Sequence, residues 1–221
     1  MTDYVFKAGR KDLAPLLLLH STGGDEHQLV EIAEMIAPSH PILSIRGRIN
    51  EQGVNRYFKL RGLGGFTKEN FDLESLDEET DWLTDEVSLL AEKHDLDVHK
   101  MIAIGYSNGA NVALNMFLRG KINFDKIIAF HGMQLEDFEQ TVQLDDKHVF
   151  LSYAPNDMIV PQKNFGDLKG DLEDSGCQLE IYESSLGHQL TQEEVLAAKK
   201  WLTAVSYTHL RAHETAANLV C

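Results

Sequence analysis

The chain has 221 residues, 43% of them hydrophobic and 25% charged, and a formal net charge of −15. That length and composition are enough for one sizeable hydrophobic core. So acidic a balance opposes contact with phosphate backbones or anionic lipid surfaces, which argues against nucleic acid and stable membrane association as partners. The chain does not open with a basic segment, an apolar run and a small-residue cleavage site, so a cytoplasmic protein is expected.

Strand-like runs begin at Tyr4–Lys7 and Leu16–Leu19. The run of four leucines is too short to cross a bilayer and reads as an interior strand. It leads into His20-Ser21-Thr22-Gly23-Gly24-Asp25, a glycine-rich turn ahead of an amphipathic helix that aligns Leu29, Ile32, Ala33 and Ile36. Backbone N–H groups in such a turn are free to bind an oxyanion, and the Thr22 amide is the candidate. His20 is expected to orient this turn through a hydrogen bond.

After a strand at Pro41–Ile45, the stretch Arg46 to Leu76 is long, irregular and rich in glycine, the kind of loop that shapes a site beside it. Arg46, Arg48, Arg56, Lys59 and Arg61 concentrate positive charge there, interleaved with Tyr57 and Phe58. Two readings stand side by side: a subsite for an acidic or aromatic substrate, or a solvated loop whose cations neutralise nearby carboxylates. The second is favoured for the charges.

A helical face through Leu83, Val87 and Leu90 precedes a strand at Lys100–Gly105, which runs into Gly105-Tyr106-Ser107-Asn108-Gly109 and a helix over Ala110 to Arg119. A strand-to-helix turn of this form exposes the serine hydroxyl on strained backbone, and glycines two residues either side avoid a Cβ clash. Ser107 is therefore a candidate nucleophile, and the Asn108 amide a second candidate oxyanion donor. The motif alone is common by chance; its context gives it weight.

A strand at Lys126–Phe130 follows, with His131 just beyond it. His131 is expected to line the pocket, since a base at this point follows the wrong strand for the fold. The short connection to the next strand, Lys147–Tyr153, leaves no room for a large lid domain. Asp157 sits in the turn off that strand's end, and His188 in the loop after a strand at Gln178–Tyr182. The bland readings are a turn or capping aspartate and a surface histidine. The order Ser, Asp, His along one sheet edge favours a base with its orienting carboxylate. Thr191 and Glu194 form a plausible capping box for a final helix. Strands alternating with helices imply an α/β fold of about seven mostly parallel strands, covered on both faces.

Residues 205–221 are similar to a translated sequencing-library adapter. They are set apart as non-native, which leaves one domain over residues 1–204. Cys177 is then the single cysteine, read as a small buried hydrophobe in a reducing compartment. Neither an HExxH motif nor paired cysteines occur, so no metal and no cofactor are expected.

The four motifs around Thr22, Ser107, Asp157 and His188 together resemble the phospholipase/carboxylesterase family of the α/β-hydrolases, near its bacterial members of the MhqD type. The likeness runs from about Tyr4 to Leu202. It implies an α/β-hydrolase fold and places Tyr57 and Phe58 in the substrate pocket, because related esterases carry an Arg-aromatic-aromatic group there. One departure is visible: the family usually has glycine where Ser21 stands, and serine narrows the backbone angles open to the turn.

The expected function is a cofactor-independent serine hydrolase that cleaves carboxylic esters of small or medium acyl or aromatic substrates through Ser107, His188 and Asp157. A thioesterase or lysophospholipase would use the same machinery, and a non-catalytic small-ligand-binding protein of this fold is the alternative of another class. Oligomeric state is not set by the sequence, and a homodimer stays open.

Overall fold

The structure, a computed structural model, describes residues 2–62, 65–139 and 142–217, with side chains described as far as residue 206. In chain order the strands are β1 (Tyr4–Lys7), β2 (Leu16–Leu19), β3 (Ile42–Ile45), β4 (Ile49–Glu51), β5 (Val54–Arg56), β6 (Ile102–Tyr106), β7 (Lys126–Phe130), β8 (His148–Tyr153) and β9 (Gln178–Glu183). The helices are α1 (Val30–Ile36), α2 (Leu73–Lys93), α3 (Asn108–Leu118), α4 (Gln162–Asp174) and α5 (Gln192–Ala217). Seven strands form one sheet in the order β1-β3-β2-β6-β7-β8-β9. β1 runs antiparallel to β3, and every other pairing in the sheet is parallel.

Alternating side chains on the buried strands feed two cores, as the two-residue period of a strand requires. Leu17, Leu19, Ala103, Ile127 and Leu151 face a cluster shared with α2, α3 and α4. Leu16, Leu18, Ile104, Ile128 and Phe150 face a second cluster shared with α1 and α5. Both faces being covered explains why β2 reads as unbroken leucine: all four side chains are fully buried.

The α/β-hydrolase fold expected from the sequence is the fold observed. Its parallel strands end on one rim, where the turns after β2, β6, β7, β8 and β9 bring together residues far apart in the chain. Between β7 and β8 the described residues hold no helix or strand. The stretch from Arg46 to Leu76 is more ordered than expected. It contains the β4–β5 hairpin and a 3-10 turn at Lys68–Asn70, and α2 already starts at Leu73. The expected boundary at residue 204 falls inside α5, and residues 218–221 lie outside the described residues. Among the described residues no helix is long and apolar enough to cross a membrane.

Candidate active site

Ser107 caps α3 with φ 52 and ψ −113, a left-handed region costly for any residue with a side chain. The turn is enforced by its neighbours. A Cβ on Gly109 would lie 2.0 Å from the Leu19 carbonyl oxygen, and one on Gly105 would lie 2.5 Å from the Ala110 nitrogen. The chain therefore passes flush against β2 and α3, and the serine is thrust above the sheet.

His188 Nε2 lies 2.8 Å from Ser107 Oγ, and its Nδ1 lies 2.7 Å from Asp157 Oδ2. For Nε2 to accept the serine proton, Nδ1 carries the hydrogen and donates it to Asp157. The Asp157 Oδ1 atom accepts from the Ile159 and Val160 amides at 2.7 and 3.1 Å, which fixes the carboxylate. Burial disfavours its charge, but His131, His188 and these two amides outweigh burial and hold its pKa well below the usual carboxylate range. The loops carrying Asp157 and His188 are stitched together by Asn156, which accepts from the Gly187 amide at 3.1 Å and donates to the Ser185 carbonyl at 3.2 Å.

The turn after β2 is held from three sides. His20 Nδ1 donates to the Ser21 carbonyl at 2.7 Å, and its Nε2 accepts from the Gly47 amide at 3.0 Å. Burial lowers the His20 pKa, which keeps the ring in the neutral form that this pairing needs. The Gly23 amide donates to the Asn55 carbonyl, and the Asn55 side chain donates to the Gly24 carbonyl. Ser21, where the resemblance implies glycine, is accommodated: its φ is not positive, and its amide and hydroxyl both bond Gln28. Among the described residues neither the Thr22 nor the Asn108 amide has an acceptor within the protein, and both residues border the cavity at Ser107. The Asn108 side chain accepts from the Tyr57 amide at 2.9 Å, which ties the elbow to the loop above it.

That cavity is narrow, with about 10 Å³ open to the centre of a water molecule. Phe58, Leu60, Phe66, Phe71, Met133 and Ile159 give it apolar walls, and Arg56 borders it as well. A larger open groove of about 870 Å³ runs beside β1 and α2, but Thr22, Ser107, Asn108, Asp157 and His188 do not line it.

One of the expected pocket residues is placed differently. Tyr57 does not border the cavity; its buried hydroxyl donates to the Ile45 carbonyl at 2.7 Å and accepts from the His20 amide at 3.0 Å. Phe58, in the bend just after β5, lines the cavity, whereas the neighbouring Tyr57 is turned toward the end of β3. His131 borders the cavity, yet both of its ring nitrogens face carboxylates: Nδ1 lies 3.3 Å from Asp157 Oδ2, and Nε2 lies 2.8 Å from Glu194 Oε1. Both nitrogens are buried, and neither is aligned for a hydrogen bond with its carboxylate. Glu194, seen in the sequence only as a capping residue, is fully buried and accepts from the Thr191 amide, the Thr191 hydroxyl and the Ser184 hydroxyl. Arg46 pairs with Glu26 and Asp3, and Arg48 with Glu79, so the neutralising reading holds for these two.

The model of the dienelactone hydrolase family matches residues 67–213, well over half of the chain. The chain belongs to that family. This dienelactone hydrolase family member is 33% identical over 204 residues to "Putative hydrolase MhqD" of Bacillus subtilis (strain 168), covering 90% of this chain and 96% of that protein. Its structure is similar to that of the Bacillus cereus carboxylesterase, with a TM-score of 0.84 and 33% identity over 91% of this chain and 93% of that one. A carboxylesterase from Mesorhizobium loti, 24% identical over 91% of this chain and 94% of that one, shares the fold with a TM-score of 0.80. Family and fold together support hydrolase activity.

Proposed function

We propose that the protein is a serine esterase that cleaves carboxylic esters through an acyl-enzyme intermediate. The observation that carries this reading is the unbroken chain of contacts from Ser107 Oγ to His188 at 2.8 Å and from His188 to Asp157 at 2.7 Å. Ser107 Oγ attacks the ester carbonyl carbon while His188 Nε2 takes its proton, and Asp157 stabilises the imidazolium that forms. The Thr22 and Asn108 amides donate to the oxyanion of the tetrahedral intermediate. Collapse of the intermediate expels the alcohol, which leaves with the proton from His188. Water then attacks the acyl-serine, His188 takes one of its protons, and the second collapse returns that proton to Ser107 and frees the acid.

The narrow, aromatic-walled cavity supports small acyl groups over long chains. The Bacillus cereus neighbour, 33% identical, is a carboxylesterase, which supports an ester over other acyl bonds. A thioesterase would use the same atoms, and a purely binding protein would have no use for the aligned triad.

A panel of p-nitrophenyl esters from acetate to decanoate, assayed beside acyl-thioesters, tests this. Short esters should be hydrolysed best, and Ser107→Ala should lower kcat by roughly 10⁴-fold or more. A preference for thioesters, or for decanoate over acetate, would overturn the substrate assignment.

A further inference from the structure

Among the described residues, the rim of the sheet carries three buried ionisable side chains in a row, and the ester mechanism uses only one of them. The Asp157, His131 and Glu194 side chains are each 0% exposed. Both ring nitrogens of His131 lie against carboxylate oxygens. Neither contact is aligned as a hydrogen bond, so the pairing is one of charge: a neutral imidazole would set a ring-nitrogen lone pair close to one carboxylate oxygen, whereas an imidazolium puts its positive charge between the two carboxylates. Glu194 is set up as an ionised partner. It takes two bonds from Thr191 and one from Ser184, and it lies in the first turn of α5, where the helix dipole favours negative charge.

We propose that His131 is a positioning residue: a fixed imidazolium held by Glu194 that offsets the charge of Asp157, so that His188 can take the Ser107 proton and give it up again. The proposal rests on the esterase reading above. Asp157 Oδ2 is shared by the two histidines, and their ring centroids are 5.2 Å apart, so the charge on one ring acts directly on the other. With His131 charged, the two carboxylates and one cation sum to one negative charge, which the proton on His188 cancels during catalysis. With His131 neutral the sum is two negative charges, and the proton that His188 takes from Ser107 is given up less readily. Burial disfavours the charged ring, but Asp157 and Glu194 outweigh it and raise the His131 pKa to about 9. The other ionisable groups facing the pair are Tyr106, whose ring centroid is 6.2 Å from that of His131 and 6.0 Å from that of His188, Arg56 across the cavity, and Tyr153 beside Asp157. Backbone strain supports a dedicated role, since His131 has φ 51 and its amide is held by Ser152 Oγ at 3.2 Å.

The test is the rate at which a fluorophosphonate phosphonylates Ser107 Oγ with loss of fluoride, followed by intact mass from about pH 5 to pH 9 in wild type and in His131→Gln. The neutral side chain should move the acid limb of the profile up by about one pH unit, about a tenfold lower rate at any pH on that limb. A merely structural histidine would lower the rate in parallel at every pH; acid limbs that superimpose once each profile is scaled to its plateau would therefore overturn the proposal. If wild-type Ser107 reacts at no pH, it is the esterase reading that fails. A measurement on the wild-type protein covers the case of a variant that does not fold. Imidazole nitrogen chemical shifts near pH 7.5 should show His131 protonated on both nitrogens, and a neutral tautomer would refute the proposal.

Discussion

The Tyr106 hydroxyl donates a 2.7 Å hydrogen bond to the main-chain carbonyl of His188, 82 residues further along the chain. Tyr106 immediately precedes the proposed nucleophile, so one side chain ties the elbow to the loop that carries the base. Its ring also stacks on the His188 imidazole, with centroids 6.0 Å apart.

Tyr106→Phe keeps the ring and removes the tie. A single hydrogen bond of this kind contributes about 1 kcal/mol net, so kcat toward a short ester should fall roughly fivefold while the fold is retained. Steady-state kinetics with circular dichroism in parallel checks this. An unchanged kcat would show that the His188 loop is positioned without Tyr106.

Gly109 is the most constrained position of the elbow. Gly109→Ala would place a Cβ within 2.0 Å of the Leu19 carbonyl oxygen, where only backbone can give way. Overpacking of this severity should cost roughly 3 kcal/mol or more, seen as a lower midpoint in urea together with loss of Ser107 acylation.

Stability should depend on pH through the buried cluster. The His131 pKa stands at about 9 against an ordinary 6.5, so its pairing contributes fully below about pH 6.5 and is lost as pH rises through 9. Burial works against the Glu194 charge, but His131, Ser152 and Thr191 bring its pKa to about 2 against an ordinary 4.5. Its contribution is therefore present above about pH 4.5 and is lost as pH falls toward 2, and Asp157 acts in the same direction. Wild-type Tm should fall by roughly 5 °C between pH 6.5 and about pH 9.5. His131→Gln should be less stable and should lose most of that alkaline slope; an unaltered slope would assign it to other groups.

The parts of the site legible in the sequence are those fixed by local chemistry. Gly105 and Gly109 announce the elbow because no other residue fits beside Leu19 and Ala110. The buried leucines of β2 announce an interior strand. The hairpin of β4 and β5 was not legible, since Ile49-Asn50-Glu51 and Val54-Asn55-Arg56 are too short and too polar to show a strand period. Tyr57 and Phe58 could not be told apart, because only the fold says which of two adjacent aromatics lines the cavity. Glu194 was hidden in plain view: its place three residues after Thr191 marks a helix start, and nothing local says that the same carboxylate meets a histidine 63 positions earlier. The signal that could have found it is the pairing of a post-strand histidine with an acidic first turn in the last helix.

The account rests on Ser107 being the one activated hydroxyl. The most direct measurement treats wild type and Ser107→Ala with a fluorophosphonate and reads the intact mass and the modified peptide. One adduct, on the peptide containing Ser107 and absent from Ser107→Ala, is the expected result. An adduct that persists in Ser107→Ala, or a wild type that hydrolyses esters yet stays unlabelled, would contradict it.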